Sequence, residues 1–198
     1  EPSMIIVRHR RNLRRELEET PTDLGIEVDI RSQGSELVIH HDPFVVGERF
    51  EDWIEAYAHR LLILNVKEEG LEERLLAIMQ RRGIEEFFFL DQSFPFLIRT
   101  ARQGERRCAV RVSEYESVDS ALNVSGMVQW VWVDCFTRFP LAGDDARALQ
   151  AAGMKLCLVS PELQDRTDPN EIEAIRNVLG RAKIMVEAVC TKEPELWR

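Results

Sequence analysis

Three of the four histidines, His9, His40 and His41, fall within the first 41 residues. Glu27 and Asp29 stand between them, and Asn65 and Lys67 follow. Two carboxylates at i and i+2 of a strand share one face. Held close, they repel unless a cation lies between them. Hard oxygen donors of this kind suit Mg²⁺ or Ca²⁺ rather than zinc. The alternative is a structural pair satisfied by Arg31, Lys67 or backbone donors. His9 and His41 fit an acid–base couple, because imidazole titrates near neutral pH and one ring can accept a proton while the other donates. Arg10 and Lys67 are cations suited to an anionic substrate, above all a phosphate. A cation, two histidines and two basic side chains at one place suit phosphoryl transfer, where positioning and charge stabilisation do most of the catalysis. His59 is read as structural, on a helix or its exit with no partner.

Residues of these types need elements to bring them together. Short apolar runs occur at 4–7, 25–30, 61–66, 87–90, 108–112, 129–133, 155–159 and 183–189. Their continuous apolar character predicts strands buried on both faces, as in a parallel sheet. Helical segments are predicted between them: 12–20, 71–82 with Leu71, Leu75, Ile78 and Met79 on one stripe and Gly83 as stop, 144–152 and 170–179. Asp144 and Asn170 are the expected N-caps, and Gly153 and Gly180 the expected stops. Eight strands alternating with helices predict an α/β fold, a closed (β/α)8 TIM barrel rather than an open doubly wound sheet, in a single domain over residues 1–198. Nearly every predicted strand ends in a polar residue, and a barrel brings all such ends to one mouth. Arg111, at the end of the fifth run, is a further candidate phosphate contact, with Trp132 beside the pocket.

The composition bounds the function classes. The chain has 198 residues, 26 Lys+Arg against 35 Asp+Glu, and a formal net charge of −9. That balance argues against a non-specific binder of nucleic acid or of anionic membranes. No run approaches the roughly 20 apolar residues of a membrane span. The four cysteines, Cys108, Cys135, Cys157 and Cys190, form no CxxC pair and sit in or beside apolar runs, so reduced, buried thiols are expected. Glu1-Pro2-Ser3-Met4 lacks a signal pattern, and Met4 suits a natural start; a cytoplasmic location is the expectation.

The motifs, taken in order, resemble the glycerophosphodiester phosphodiesterase family, a (β/α)8-barrel group within the phosphatidylinositol-phospholipase-C-like phosphodiesterases. Val7-Arg8-His9-Arg10-Arg11-Asn12 stands where that family has His-Arg-Gly, and Glu27-Val28-Asp29 where it has Glu-x-Asp. Gln33-Gly34-Ser35-Glu36-Leu37-Val38-Ile39-His40-His41-Asp42-Pro43 is similar to its hairpin and His-Asp, predicting a small hairpin around 37–41 after the second strand. Leu64-Asn65-Val66-Lys67 occupies the place of Glu-x-Lys, and Cys190-Thr191-Lys192-Glu193-Pro194 resembles the closing Thr-Asp-x-Pro. The resemblance implies His9 and His41 as acid and base, Glu27, Asp29 and Asn65 as ligands of a divalent cation, and Arg10 and Lys67 as phosphate binders. It implies a small phosphodiester substrate, opened by attack of its own vicinal hydroxyl and then by water. It places His40 on the other face of the hairpin strand.

Three departures stand out. Arg11 replaces the family glycine. Asn65 replaces a glutamate, giving an uncharged oxygen ligand and a weaker cation site, with Glu68 or Glu69 as candidate substitutes. The helical insertion usual between His41-Asp42 and the third strand, which helps shape the family's substrate pocket, is absent; a related variant family, barrels with Glu-x-Asp and two histidines that include the spider-venom phospholipases D, implies that such a site can be retuned. The leading reading is a metal-dependent phosphodiester hydrolase. The alternatives are a catalytically weakened barrel that binds a phosphorylated ligand, and a non-enzymatic interaction domain.

Overall fold

The computed structural model describes residues 3–198; Glu1 and Pro2, part of the stretch read for a signal pattern, lie outside the described residues. Contacts cluster the chain into two units, one spanning Arg8–Gly104 and the other running up to Val7 and over Glu105–Arg198.

The elements in chain order are β1 (Ile5–Arg8), α1 (Arg14–Glu19), β2 (Gly25–Gln33), β3 (Glu36–Ile39), β4 (Glu48–Arg49), α2 (Phe50–Trp53), β5 (Leu62–Val66), α3 (Glu72–Arg82), β6 (Phe87–Leu90), α4 (Phe94–Arg102), β7 (Ala109–Val112), α5 (Val118–Leu122), β8 (Trp130–Val133), α6 (Gly143–Ala151), β9 (Lys155–Val159), α7 (Pro169–Ala182) and β10 (Ala188–Thr191).

In the Arg8–Gly104 unit, β2 is long enough to serve two partners. Its first part pairs with β5 in parallel, Ile26 opposite Leu62 and Asp29 opposite Asn65. Its last part turns through Gly34, at φ +60°, into an antiparallel hairpin with β3. The turn needs a left-handed residue, which glycine adopts without strain. β3 pairs with β4, again antiparallel, and β5 pairs with β6 in parallel. Helix α3 buries Leu75, Ile78 and Met79 and ends at Gly83, as the stripe predicts.

In the other unit, β7, β8, β9 and β10 form consecutive parallel ladders. Ile5 of β1 donates to the Glu187 carbonyl just before β10. Glu114, after β7, accepts from the backbone N–H groups of Phe136, Thr137 and Arg138 and from the Thr137 hydroxyl. Partial burial alone would raise its carboxyl; these donors win and hold it down at about 2. Buried Glu162 accepts from Ser160, Thr191 and the Lys192 N–H.

The fold is α/β; strands stand at seven of the eight expected runs, the eighth is displaced, and the small hairpin is present. The closed ring is not a feature of the ladders: among the described residues β6 pairs with β5 alone and β7 with β8 alone, and β3 and β4 make the pairing mixed. The last strand is displaced from 183–189 to Ala188–Thr191 because α7 runs through Gly180 to Ala182 and Lys183 caps it in the left-handed region. Asp168 rather than Asn170 caps α7, and Ala142 rather than Asp144 precedes α6. All four cysteines are free and buried, as expected. No helix among the described residues is long and apolar enough to cross a membrane.

Candidate active site

The parallel register of β2 and β5 builds the centre of the site. It sets Asn65 beside Asp29, and Glu27 two residues earlier shares their face. All three are buried, at 2% exposure for Glu27, 0% for Asp29 and 6% for Asn65. Each also keeps one oxygen without a hydrogen-bond partner: Glu27 Oε1, Asp29 Oδ1 and Asn65 Oδ1. Unsatisfied buried oxygens are costly and uncommon, and three on adjoining positions point to a missing electropositive partner. The donor set, two carboxylates and an amide, fits a hard divalent cation. Among the described residues no three His, Cys, Asp or Glu side chains gather as a metal cage, so any such site depends on the Asn65 amide.

The other carboxylate oxygens accept hydrogen bonds, and Asp29 Oδ1 has one ammonium nearby. Glu27 Oε2 accepts from the Arg10 N–H at 3.2 Å and lies 3.4 Å from His9 Nε2. Asp29 Oδ2 accepts from Asn12 Nδ2 at 2.9 Å, while Asn12 Oδ1 accepts from the Asp29 N–H at 3.1 Å. Arg10 Nε stands 3.6 Å from Asp29 Oδ2. Lys67 Nζ stands 3.6 Å from Asp29 Oδ1 and 3.8 Å from Asp91 Oδ2. Arg31 does not neutralise the pair. Burial, and after it the charge of Asp29, pushes the Glu27 carboxyl up to about 8; the Arg10 N–H and the Lys67 and Arg10 charges oppose this.

His41 lines a cleft of about 440 Å³ together with Asn12, Leu13, Ile39, His40, Val46, Gly47 and Glu48. Asn12 therefore belongs both to this cleft and to the surroundings of Asp29. His41 Nδ1 is 2.9 Å from Asp42 Oδ1, and that hydrogen bond holds the Asp42 carboxyl below its ordinary value. An ionised carboxylate at Nδ1 fixes the ring orientation and leaves Nε2 for proton transfer. The loop carrying both histidines is pinned by Arg31, whose guanidinium donates to the carbonyls of His40 and His41.

His40 is a correction. It was expected on the opposite face, but β3 ends at Ile39, so strand alternation no longer applies, and His40 lines the same cleft. His59 has a partner after all: its Nε2–H donates to the Thr20 carbonyl at 2.8 Å, and burial lowers its pKa. Glu68 accepts from the Ser32 N–H and hydroxyl. Arg11 is a structural residue: its guanidinium donates to Thr20 Oγ1, and its carbonyl accepts from Trp53 Nε1. The left-handed backbone falls instead at Arg10, φ 49°. Arg111 lies in the other unit, with Nη1 2.5 Å from Asp134 Oδ2 and Nε 3.8 Å from Glu116 Oε1. Sequence reasoning missed Asn12, Arg31 and Asp42 as site residues; Asp91 stands at a strand end, where polar residues are expected at the mouth. Asp42 follows a histidine directly, which is a usable signal; the role of Asn12 depends on its reach across to β2.

No protein-family model matches the chain, and no curated protein does. Solved structures do. A glycerophosphodiester phosphodiesterase from Agrobacterium tumefaciens aligns with a TM-score of 0.72 over 98% of this chain and 99% of that one, at 14% identity. A glycerophosphoryl diester phosphodiesterase from Parabacteroides distasonis aligns with a TM-score of 0.64 over 98% and 84%, at 15% identity. The chain thus has the α/β fold of the glycerophosphodiester phosphodiesterases, in agreement with the motifs read from its sequence.

Proposed function

We propose that the protein is a divalent-cation-dependent phosphodiester hydrolase of the glycerophosphodiesterase type. The observation that carries this reading is the trio of buried oxygens without a hydrogen-bond partner on Glu27, Asp29 and Asn65. These residues would hold Mg²⁺ or Ca²⁺, which when bound supplies positive charge against the phosphoryl oxygens. Arg10 and Lys67 add the charges that hold the phosphate. His41, oriented by Asp42, takes the proton of the attacking hydroxyl as its oxygen bonds to phosphorus. His9 gives a proton to the leaving oxygen as the other P–O bond breaks. Water then opens the cyclic phosphate with the two histidines in exchanged roles. Arg111 we read as structural, since Asp134 and Glu116 already take its guanidinium.

Four free, buried thiols support a reducing, cytoplasmic location. Asn65 favours a second reading, a weakened barrel that binds a phosphorylated ligand without turning it over. The test is a panel of glycerophosphodiesters assayed with Mg²⁺, Mn²⁺, Ca²⁺ or chelator, alongside calorimetric titration of each cation. Cation-dependent release of the alcohol supports the hydrolase. Ligand binding without turnover under every cation supports the second reading.

A further inference from the structure

Lys67 stands between two carboxylates of unlike setting. Its Nζ lies 3.6 Å from Asp29 Oδ1 and 3.8 Å from Asp91 Oδ2, and both distances are longer than a hydrogen bond. The Asp29 side chain is fully buried, whereas that of Asp91 is 30% exposed. The register explains the grouping. Asn65 of β5 pairs with Leu90 of β6; Lys67 lies two residues beyond the one, and Asp91 directly follows the other. The Lys67 backbone is fixed, because its N–H donates to the Ile30 carbonyl, so any movement belongs to the side chain. Asp91 sits at φ +61°, in the left-handed region that aspartate and asparagine enter more readily than other side chains.

Asp29 Oδ1 is also one of the three buried oxygens without a hydrogen-bond partner. It cannot serve an ammonium and a divalent cation together without like charges meeting at close range. Asp29 Oδ2 stands outside this conflict, since Asn12 donates to it and Arg10 Nε is 3.6 Å away. The conflict therefore falls on Lys67, and Asp91 is a second carboxylate already beside it. We infer, resting on the cation site of the hydrolase reading, that Asp91 is a positioning residue for Lys67: the ammonium neutralises Asp29 in the cation-free protein and passes to Asp91 when a divalent cation binds. Lys67 thus competes with the cation for Asp29. Once displaced, it is kept at the strand end rather than released to solvent, and Asp91 holds it there as a phosphate contact.

The experiment is calorimetric titration of Mg²⁺ and Ca²⁺ into the full chain, for the wild type, Asp91→Asn, Lys67→Met and the double variant. Asparagine accepts the left-handed backbone as aspartate does, so Asp91→Asn removes a charge and little else. Asp91→Asn is expected to weaken cation binding about 5-fold or more, and Lys67→Met to tighten it by a similar factor. In the Lys67→Met background the Asp91→Asn effect should shrink to within about twofold, because Asp91 acts through the ammonium. A second measurement does not depend on the folding of Lys67→Met. The chain has four lysines, Lys67, Lys155, Lys183 and Lys192, so lysine-selective labelling lets NMR follow the Lys67 side chain, assigned by its loss in Lys67→Arg. Its signal should shift when Mg²⁺ is added to the wild type, and should reach a different end point in Asp91→Asn. Equal weakening by Asp91→Asn in both backgrounds overturns the inference, since Asp91 then acts on the cation directly. Lys67→Met that binds cations no tighter than wild type overturns it, as does a Lys67 signal with the same cation-loaded position in wild type and Asp91→Asn. Each of those results leaves the cation site standing, whereas wild type that takes up no divalent cation overturns the site and the exchange together.

Discussion

Glu27→Gln should make the cation-free protein more stable at neutral pH while removing its response to divalent cations. The Glu27 carboxyl, ordinarily near 4.5, is pushed to about 8 in the folded protein. Between those values the folded state holds a proton that the unfolded state has released. Stability therefore falls as pH rises from about 4.5 to about 8, and levels off above. By pH 7 the loss is about 3 kcal/mol. Glutamine has the same shape, can still accept from the Arg10 N–H, and loses nothing over that window. A chain of this size shifts its melting point by roughly 2–4 °C per kcal/mol, so in chelator the variant should gain roughly 6–12 °C over wild type between pH 4.5 and pH 7. Millimolar Ca²⁺ or Mg²⁺ should reverse the picture: wild type gains stability, increasingly so at higher pH as the cation displaces the proton, and the variant does not. Thermal melts across pH, with and without cation, provide the measurement. Wild-type and Glu27→Gln curves that run parallel in chelator would refute the desolvated carboxyl, and an equal cation response in both would refute the cation site.

Asn65→Glu should tighten cation binding about 10-fold or more in calorimetry by adding a charged oxygen, and should lower the cation-free melting point, since a third carboxylate joins a buried pair. His9→Ala and His41→Ala should each reduce turnover by at least ~10²-fold in a phosphodiester assay, with His40→Ala costing far less. Arg31→Met should lower kcat more than it raises KM, because it frees the carbonyls that place His41 without touching Arg10 and Lys67, the proposed phosphate contacts; an unchanged kcat would count against that positioning role.

Much of this arrangement is legible in the amino-acid sequence, because its determinants are local. Glu27 and Asp29 share a face by strand alternation alone, and Leu75, Ile78, Met79 and Gly83 define α3 by period and stop. Partnership across elements is harder to read. That Asn65 stands beside Asp29 follows from a parallel register, and motif order supplied it only through resemblance. Alternation misplaced His40 because it depends on where β3 ends, one residue earlier. The last strand slipped because the run at 183–189 mixes buried Ile184 with exposed Met185; the helix before it overruns Gly180, and the true strand is chosen by pairing with β9. Arg31 read as a counter-ion for the acidic pair, but the hairpin carries it to two backbone carbonyls instead.

The grip of Glu114 on residues 136–138 has a consequence for how that stretch opens. Backbone amides in surface loops usually exchange with solvent almost freely, since nothing but water opposes them. Here three successive N–H groups share a single carboxylate, so none can be released while the others hold without breaking a charge-assisted bond. The stretch should exchange as one cooperative unit rather than residue by residue, resisting deuterium and protease alike. Glu114→Ala would return it to ordinary loop behaviour, amide by amide.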